Sequence, residues 1–238
     1  MLNIYINGCS FSQSQLNYVD RSWTPYSDLI ERDLNIKVSN KSISSSGQGR
    51  ILDNSIIDLE LFDKYDLVII QWSAVSRGYS TNYNQFVEKL IDNPSFAHLL
   101  HEDEYLNSML KEGEVTDVLN HIEDFYYHSS LSKIIAMRNY LENKKIPYLF
   151  FWGWQQLTDE VIGRSDITKK LVDNLYNKNW WRFGEHGGLS EWGIDKFGKD
   201  KAILPEDFHP TTIVHSHFYS EVIKPYLNIF KNNHKNLI

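Results

Sequence analysis

The sequence predicts an α/β protein built on a mostly parallel sheet, because strand-like and helix-like segments alternate along the chain. Four short apolar runs, rich in β-branched and aromatic residues, predict strands covered on both faces. They lie at Leu2–Ile6, Ile36–Ile43, Leu67–Trp72 and Tyr148–Trp152. Strands that alternate with helices are typical of a parallel sheet in a layered fold. At 238 residues and 42% hydrophobic content, we expect one domain over 1–238.

Apolar residues at helical spacing predict a helix after each of these strands. The first three helices are expected at Trp23–Leu34, after a Ser22 cap, at Ile51–Leu61 and at Val115–Asn143. A final helix is expected over Ile213–Phe230, capped by Thr211 or Thr212. Pro225 should kink or split this last helix.

Two segments interrupt the alternation of strands and helices. We expect a helical insertion at about 80–125. Gly184–Gly198 is rich in glycine, which predicts a long loop or lid at about 180–200.

The composition of the chain limits the classes of binding partner that we expect. The net charge is -7 and no Lys/Arg-rich block is present, so we expect neither nucleic acid nor a membrane as the main partner. A small-molecule or glycan ligand fits better. Cys9 is the only cysteine, so no intrachain disulfide can form. Since no signal-peptide pattern and no membrane-length apolar run of about 20 residues is seen, we expect a cytoplasmic protein.

The stretch NIYINGCSFSQ, at the end of the first predicted strand, contains a candidate nucleophile. Gly8 allows the backbone to turn sharply, and Ser10 then lies at the carboxyl edge of the strand. Ligands of parallel α/β sheets bind at this edge. Ser10 therefore stands where an exposed nucleophile would be useful.

The late stretch PEDFHPTTIVHSH contains a candidate base and its acid. Glu206, Asp207 and His209 lie together ahead of the last predicted helix. A carboxylate in this loop can hold one ring nitrogen of the histidine while the other nitrogen faces a serine. Together with Ser10, the loop predicts a Ser–His–acid arrangement.

These stretches resemble the sequence blocks of the SGNH (GDSL-like) hydrolases, and they occur in the same order. GCSFS is similar to the first block, with Ser10 at the nucleophile position. NKSISSSGQGRI is similar to the second, which implies that the N–H of Gly47 faces the oxyanion. EDFHPTTIVH is similar to the last block, which implies His209 as base and Glu206, three residues ahead, as acid. Asp207 is the rival acid.

The third block departs from the family pattern. In DLVIIQWSAVSRG the family's Gly-x-Asn-Asp becomes Gln-Trp-Ser-Ala, so Ser73 stands at the position of the oxyanion-hole asparagine. One such donor is typically worth on the order of 3 kcal/mol in the barrier. The N–H groups of Ser10 and Gly47 would be the remaining donors. We expect either lower activity or another donor, such as Asn7, in place of the asparagine.

The resemblance implies a three-layer α/β/α fold of the flavodoxin-like type and a serine that attacks an ester or acyl carbonyl. It also implies an acyl-enzyme that water or another acceptor resolves, with no cofactor. A carbohydrate O-acetyl esterase is one such enzyme. An O-acyltransferase, and a weak or inactive hydrolase scaffold that serves as a binding or structural module, are the alternatives.

Two further residue groups have competing interpretations. The Cys9 thiol is a rival nucleophile, because thiolates form more readily than alkoxides, but a packing role is favoured. His215 and His217 are two positions apart on the last predicted helix and do not face one ligand together, so no metal is predicted.

Two residues are candidates for substrate binding. Arg77 follows the third predicted strand and could hold an anionic group. Trp192 lies in the predicted loop at 180–200 and could stack on a sugar ring. An exposed arginine and a buried tryptophan are the ordinary alternatives for these two positions.

Overall fold

Five strands form a parallel sheet in the computed structural model, which describes residues 2–14, 23–34, 36–62, 64–73, 75, 115–206 and 208–233. The strands are β1 (Asn3–Asn7), β2 (Lys37–Asn40), β3 (Leu67–Trp72), β4 (Tyr148–Trp152) and β5 (Trp180–Trp181). Their order in the sheet is β2-β1-β3-β4-β5, and all four neighbouring pairs are parallel. This order is that of a doubly wound α/β fold, whose switch point lies between β1 and β3.

Nine helices accompany the sheet within the described ranges. They are α1 (Tyr26–Leu34), α2 (Gln48–Leu61), α3 (Val115–Lys144), α4 (Asp159–Gly163), α5 (Asp166–Asp173), α6 (Leu189–Phe197), α7 (Lys199–Ala202), α8 (Thr212–Phe218) and α9 (Lys224–Asn233). A π-helical turn at Tyr219–Ile223 joins α8 to α9. Pro225 follows this turn and has no N–H for the preceding turn of helix, so the last helix changes to π-helical geometry just ahead of the proline and then continues.

Side chains alternate between the two faces of the sheet and build two separate cores. One face packs Ile6, Ile69 and Phe151 against α1, α8 and α9. The other face packs Tyr5, Val68 and Phe150 against α2 and α3. Helices therefore cover both faces, and the predicted α/β/α architecture is confirmed. Among the described residues, no helix combines the length and the apolar character needed to cross a membrane.

Several predicted boundaries shift in the structure. The first helix begins at Tyr26 instead of Trp23, because Pro25 restricts the residue before it to an extended conformation. Ser22, its predicted cap, lies outside the described residues. Of the predicted insertion at about 80–125, residues 80–114 also lie outside them, and the remainder belongs to α3. The short strand β5 was not predicted.

The predicted loop or lid at about 180–200 is wrong for 189–197, which form the helix α6. Gly188 and Gly198 lie at the two ends of this helix and do not make the segment a loop. The carboxylate of Glu191 accepts the N–H of Gly188 at 2.9 Å and that of Gln155 at 2.8 Å, which anchors the start of α6. Gly198 ends the helix with a φ of +79°, a conformation that favours glycine.

Gly188→Ala should destabilise the fold, because a Cβ at Gly188 would lie 2.5 Å from the carbonyl oxygen of Trp152. We expect a loss of about 1–3 kcal/mol in the free energy of unfolding, measured by urea denaturation. Gly163→Ala is the matched control, since a Cβ there would meet nothing within 4 Å and the position is helical. That variant should be neutral or gain up to about 1 kcal/mol. Equal stability of the two variants would contradict the close packing of Gly188 on β4.

Candidate active site

Ser10 lies in the turn that follows β1, at the carboxyl edge of the sheet. Since β1 pairs with β2 on one side and β3 on the other, this turn opens at the switch point of the sheet. Ser10 itself is largely buried, and its Oγ is 4.0 Å from the Sγ of Cys9. The position agrees with the one predicted from the sequence.

The side chain of Gln71, from the neighbouring strand β3, holds this turn in place. Its Oε1 accepts hydrogen bonds from the N–H of Cys9 at 3.3 Å, from the Sγ of Cys9 at 3.2 Å and from the Oγ of Ser12 at 3.2 Å. Its Nε2 donates to the carbonyl oxygen of Trp72 at 2.6 Å. Gln71 is fully buried, so these bonds are made away from water. The amide thus holds residues on both sides of Ser10, Cys9 through its backbone and thiol and Ser12 through its hydroxyl.

Cys9 is fully buried beside Ser10, and its thiol donates to Gln71. Ser12, two residues after Ser10, is held as well, since its Oγ lies 2.7 Å from the hydroxyl of Tyr26. Burial raises the pKa of Tyr26, so its phenol stays protonated and can donate this bond. These contacts favour the packing role for Cys9.

The loop between α7 and α8 carries His209. Ile203 and Pro210 form an antiparallel bridge across it, and the N–H of Leu204 donates to the carbonyl oxygen of His209 at 2.8 Å. Phe208 has a φ of +59°, which is uncommon for a residue other than glycine. Strained backbone of this kind persists where the surrounding structure enforces it, often at functional sites.

Aromatic rings fix the imidazole of His209. The Phe11 ring meets it edge to face at 5.0 Å between centroids, and Trp23 stacks on it at 5.5 Å. Trp23 also stacks on His215 at 4.8 Å, with only 8° between the rings. His215 is fully buried in this stack, where its ring packs against Trp23.

Ser10 and His209 line the same cavity, of about 290 Å³. The structure therefore brings together the nucleophile and base candidates from opposite ends of the chain. The other lining residues are mainly apolar: Phe11, Trp154, Ser190, Ile194, Lys199, Ile203 and Phe208. Such a wall suits an apolar group, and the exposed Lys199 places one cation beside it.

Of the two candidate acids, the structure describes only Glu206. Glu206 is exposed on the turn before His209, and its carboxylate makes no hydrogen bond or ion pair with any residue that the structure describes. Asp207 lies outside the described residues. Glu206 would have to turn from solvent toward the imidazole to act as the acid.

The oxyanion candidate Gly47 stands at the N-terminus of α2, beside the Ser10 turn. Backbone N–H groups attach its loop to this turn, from Ile43 to the carbonyl oxygen of Gly8 at 3.2 Å and from Ser44 to the Oε1 of Gln13 at 3.1 Å. The positive end of the α2 dipole also favours negative charge here. Gly47 itself does not line the cavity within the described part of the chain.

Ser73, at the position of the family's asparagine, is fully buried after β3. Its carbonyl oxygen accepts from the Nε2 of Gln48 at 2.7 Å, which ties the end of β3 to the start of α2. Asn7 is not the replacement donor, because its Nδ2 points to α2, toward Ser55 at 2.9 Å and Ile51 at 3.3 Å. Asn7 therefore holds β1 against α2 and is not the other donor suggested by the sequence, while lower activity stays a prediction.

Of the two substrate-binding candidates, only Trp192 lies within the described residues. Arg77 lies outside the described residues. Trp192 is half-buried and packs edge to face on Phe218 at 5.8 Å, and it is not among the cavity-lining residues. Trp154 lines the cavity instead and packs on Phe11 at 5.0 Å. The sequence pattern did not single out Trp154, because only the fold brings it beside Ser10.

Two solved structures resemble this one over nearly the whole chain. The first is the esterase EstA from a Pseudoalteromonas species, in a structure inhibited by monoethylphosphonate. It is 14% identical with a TM-score of 0.53, and the match covers 96% of this chain and 100% of EstA. The second, TesA, is 13% identical with a TM-score of 0.52, over 96% of this chain and 99% of TesA. At these identities the likeness shows the fold alone, and the three-layer α/β/α fold predicted from the sequence is confirmed. No protein-family model and no curated protein matches the sequence.

Proposed function

We propose that this protein is a serine hydrolase that cleaves an ester or acyl bond through an acyl-enzyme on Ser10. The observation that carries the proposal is the shared cavity of Ser10 and His209, at the switch point of the sheet. A serine and a histidine at such an edge are the minimal parts of an activated nucleophile.

In the proposed reaction, His209 accepts the Ser10 proton while Oγ attacks the substrate carbonyl carbon. The carbonyl oxygen becomes an oxyanion, to which the N–H groups of Ser10 and Gly47 donate. Collapse of this intermediate breaks the ester bond, and His209 gives the proton to the leaving alcohol. Water then loses a proton to His209 and attacks the acyl-enzyme, which releases the acid and restores Ser10.

The proposed substrate is a small-molecule or glycan ester, such as a carbohydrate O-acetyl ester. The apolar wall of Phe11, Trp154 and Ile203 supports an apolar acyl portion beside Ser10. Transfer of the acyl group to an alcohol instead of water would make the protein an O-acyltransferase. Product analysis with and without an added alcohol separates these two reactions.

A binding module on the same scaffold is the second candidate function. The observation that favours it is that Ser73 stands at the position of the oxyanion-hole asparagine. Ser73 is buried, and its carbonyl oxygen accepts a hydrogen bond from Gln48. Such a module would bind esters without turning them over. A panel of p-nitrophenyl and acetylated-sugar esters distinguishes the two functions.

On this panel, one of the variants Glu206→Gln and Asp207→Asn should lower kcat by on the order of 10³–10⁴-fold. Such a loss is typical when the acid no longer holds the tautomer of the base. The other variant should stay within a few-fold of the wild type, so each serves as the control for its neighbour. If both variants kept full activity, a Ser–His–acid triad in this loop would be excluded.

A further inference from the structure

A second group of polar side chains lies away from Ser10, beyond the carboxyl end of the edge strand β5. Asp159 begins α4, while Glu185 and His186 lie in the turn between Phe183 and Gly187. One ligand-type atom from each of the three side chains lies within 4.8 Å of the other two. Carboxylate oxygen and imidazole nitrogen are ordinary ligands of divalent transition metals.

His186 is oriented toward this group by contacts at its inner nitrogen. It is only 8% exposed, and its Nδ1 lies 3.0 Å from the hydroxyl of Tyr176. That hydroxyl in turn accepts from the Nε1 of Trp152 at 3.2 Å. Metal-binding histidines commonly donate their second N–H to such an outer partner, which fixes the tautomer. In the tautomer whose Nδ1–H donates to Tyr176, the lone pair of Nε2 is directed toward the carboxylates.

The distance between the Nε2 of His186 and the carboxylate of Glu185 suits two ligands of one metal ion better than a direct hydrogen bond. Its Nε2 is 3.7 Å from the Oε1 of Glu185, and it makes no hydrogen bond within the ranges that the structure describes. Two ligands of a tetrahedral ion with bonds of about 2.0–2.1 Å lie about 3.3 Å apart. Glu185 and Asp159 are exposed, so small rotations of their side chains would close the remaining gap.

The space beside the three side chains suits an ion that also binds a further ligand. A cavity of about 580 Å³ adjoins the three side chains. Lys169 and Arg182 also line it, and these cations would oppose the ion while attracting an anion bound to it.

We propose that Asp159, Glu185 and His186 form a binding site for a divalent transition metal of the zinc class, separate from the Ser10 cavity. The mixed nitrogen and oxygen donors favour Zn²⁺ over Mg²⁺, which prefers oxygen alone. The ion would link the turn after β5 to the start of α4. The site differs from the His215–His217 pair, for which the sequence predicted no metal.

Isothermal titration calorimetry of the untagged, chelator-treated chain with Zn²⁺ tests the site. We expect one Zn²⁺ bound per chain at this site, weaker or absent binding of Mg²⁺, and a rise in Tm with Zn²⁺. Asp159→Asn and Glu185→Gln change exposed side chains and should each lower the Zn²⁺ affinity by about tenfold or more. Tyr176→Phe, which removes the outer partner, should lower it by about 10–100-fold.

His217→Ala is the matched control, because the Nδ1 of His217 also lies near a carboxylate, 2.9 Å from the Oε1 of Glu221. This variant should bind Zn²⁺ as the wild type does. The site would be disproved by the absence of Zn²⁺ binding. Binding that survives the double variant Asp159→Asn, Glu185→Gln would equally place the ion elsewhere.

Discussion

Ser10→Ala should lower kcat/KM for ester hydrolysis by on the order of 10⁴–10⁶-fold. The variant removes the atom that forms the acyl-enzyme, and losses of this size are typical when a nucleophile of a triad is deleted. The oxyanion donors would remain, so a small rate above that of water should persist. Steady-state hydrolysis of p-nitrophenyl acetate measures the change, and the Tm should stay within about 3 °C of the wild type.

Ser190→Ala provides the matched control for this result. Ser190 lines the same cavity and is similarly buried, but it belongs to α6 and has no place in the proposed reaction. We expect its kcat/KM to stay within a few-fold of the wild type. Retention of more than about a tenth of the activity by Ser10→Ala would contradict the role of Ser10 as nucleophile.

Gln71→Leu should cost about 2–4 kcal/mol in the free energy of unfolding and also lower the activity. The substitution removes the acceptor of the Cys9 N–H, and a buried donor left without a partner costs about 1–3 kcal/mol. It also removes the contacts to the Cys9 thiol and to the hydroxyl of Ser12. Because these residues flank Ser10, the nucleophile should lose its position. Urea denaturation and ester hydrolysis measure the two effects.

Gln155→Leu is the control for the loss of an amide, since Gln155 is exposed. It should change the free energy of unfolding by about 0.5 kcal/mol or less. A cost below about 1 kcal/mol for Gln71→Leu would mean that the amide of Gln71 does not hold the turn after β1.

The central strands were predictable because a strand that is buried on both faces needs apolar residues at successive positions, and such a run is visible in the sequence. Leu67–Trp72 and Tyr148–Trp152 were predicted with the bounds that the structure has, since the second is a continuous apolar run and the first is apolar except for Gln71. The two-residue strand Trp180–Trp181 is too short to produce a pattern. The glycines of 184–198 predicted a loop, whereas Gly188 and Gly198 flank the helix α6.

The candidate site was predictable only in part. The motif order in the sequence identified Ser10 and His209, which share the cavity. The role of Gln71 depends on a contact across the sheet, and that of Trp154 on the packing beyond β4, so neither leaves a local pattern. Asp159 and His186 belong to separate segments that only the fold brings together.

The most direct measurement is labelling of the purified protein with a fluorophosphonate, followed by peptide mapping of the adduct. The proposal of an activated serine predicts a single adduct on Ser10, which disappears in His209→Ala and persists in Ser190→Ala. The absence of any adduct on folded protein would contradict the proposed serine hydrolase and favour the binding module. An adduct on Ser10 that persists in His209→Ala would contradict the role of His209 as the base.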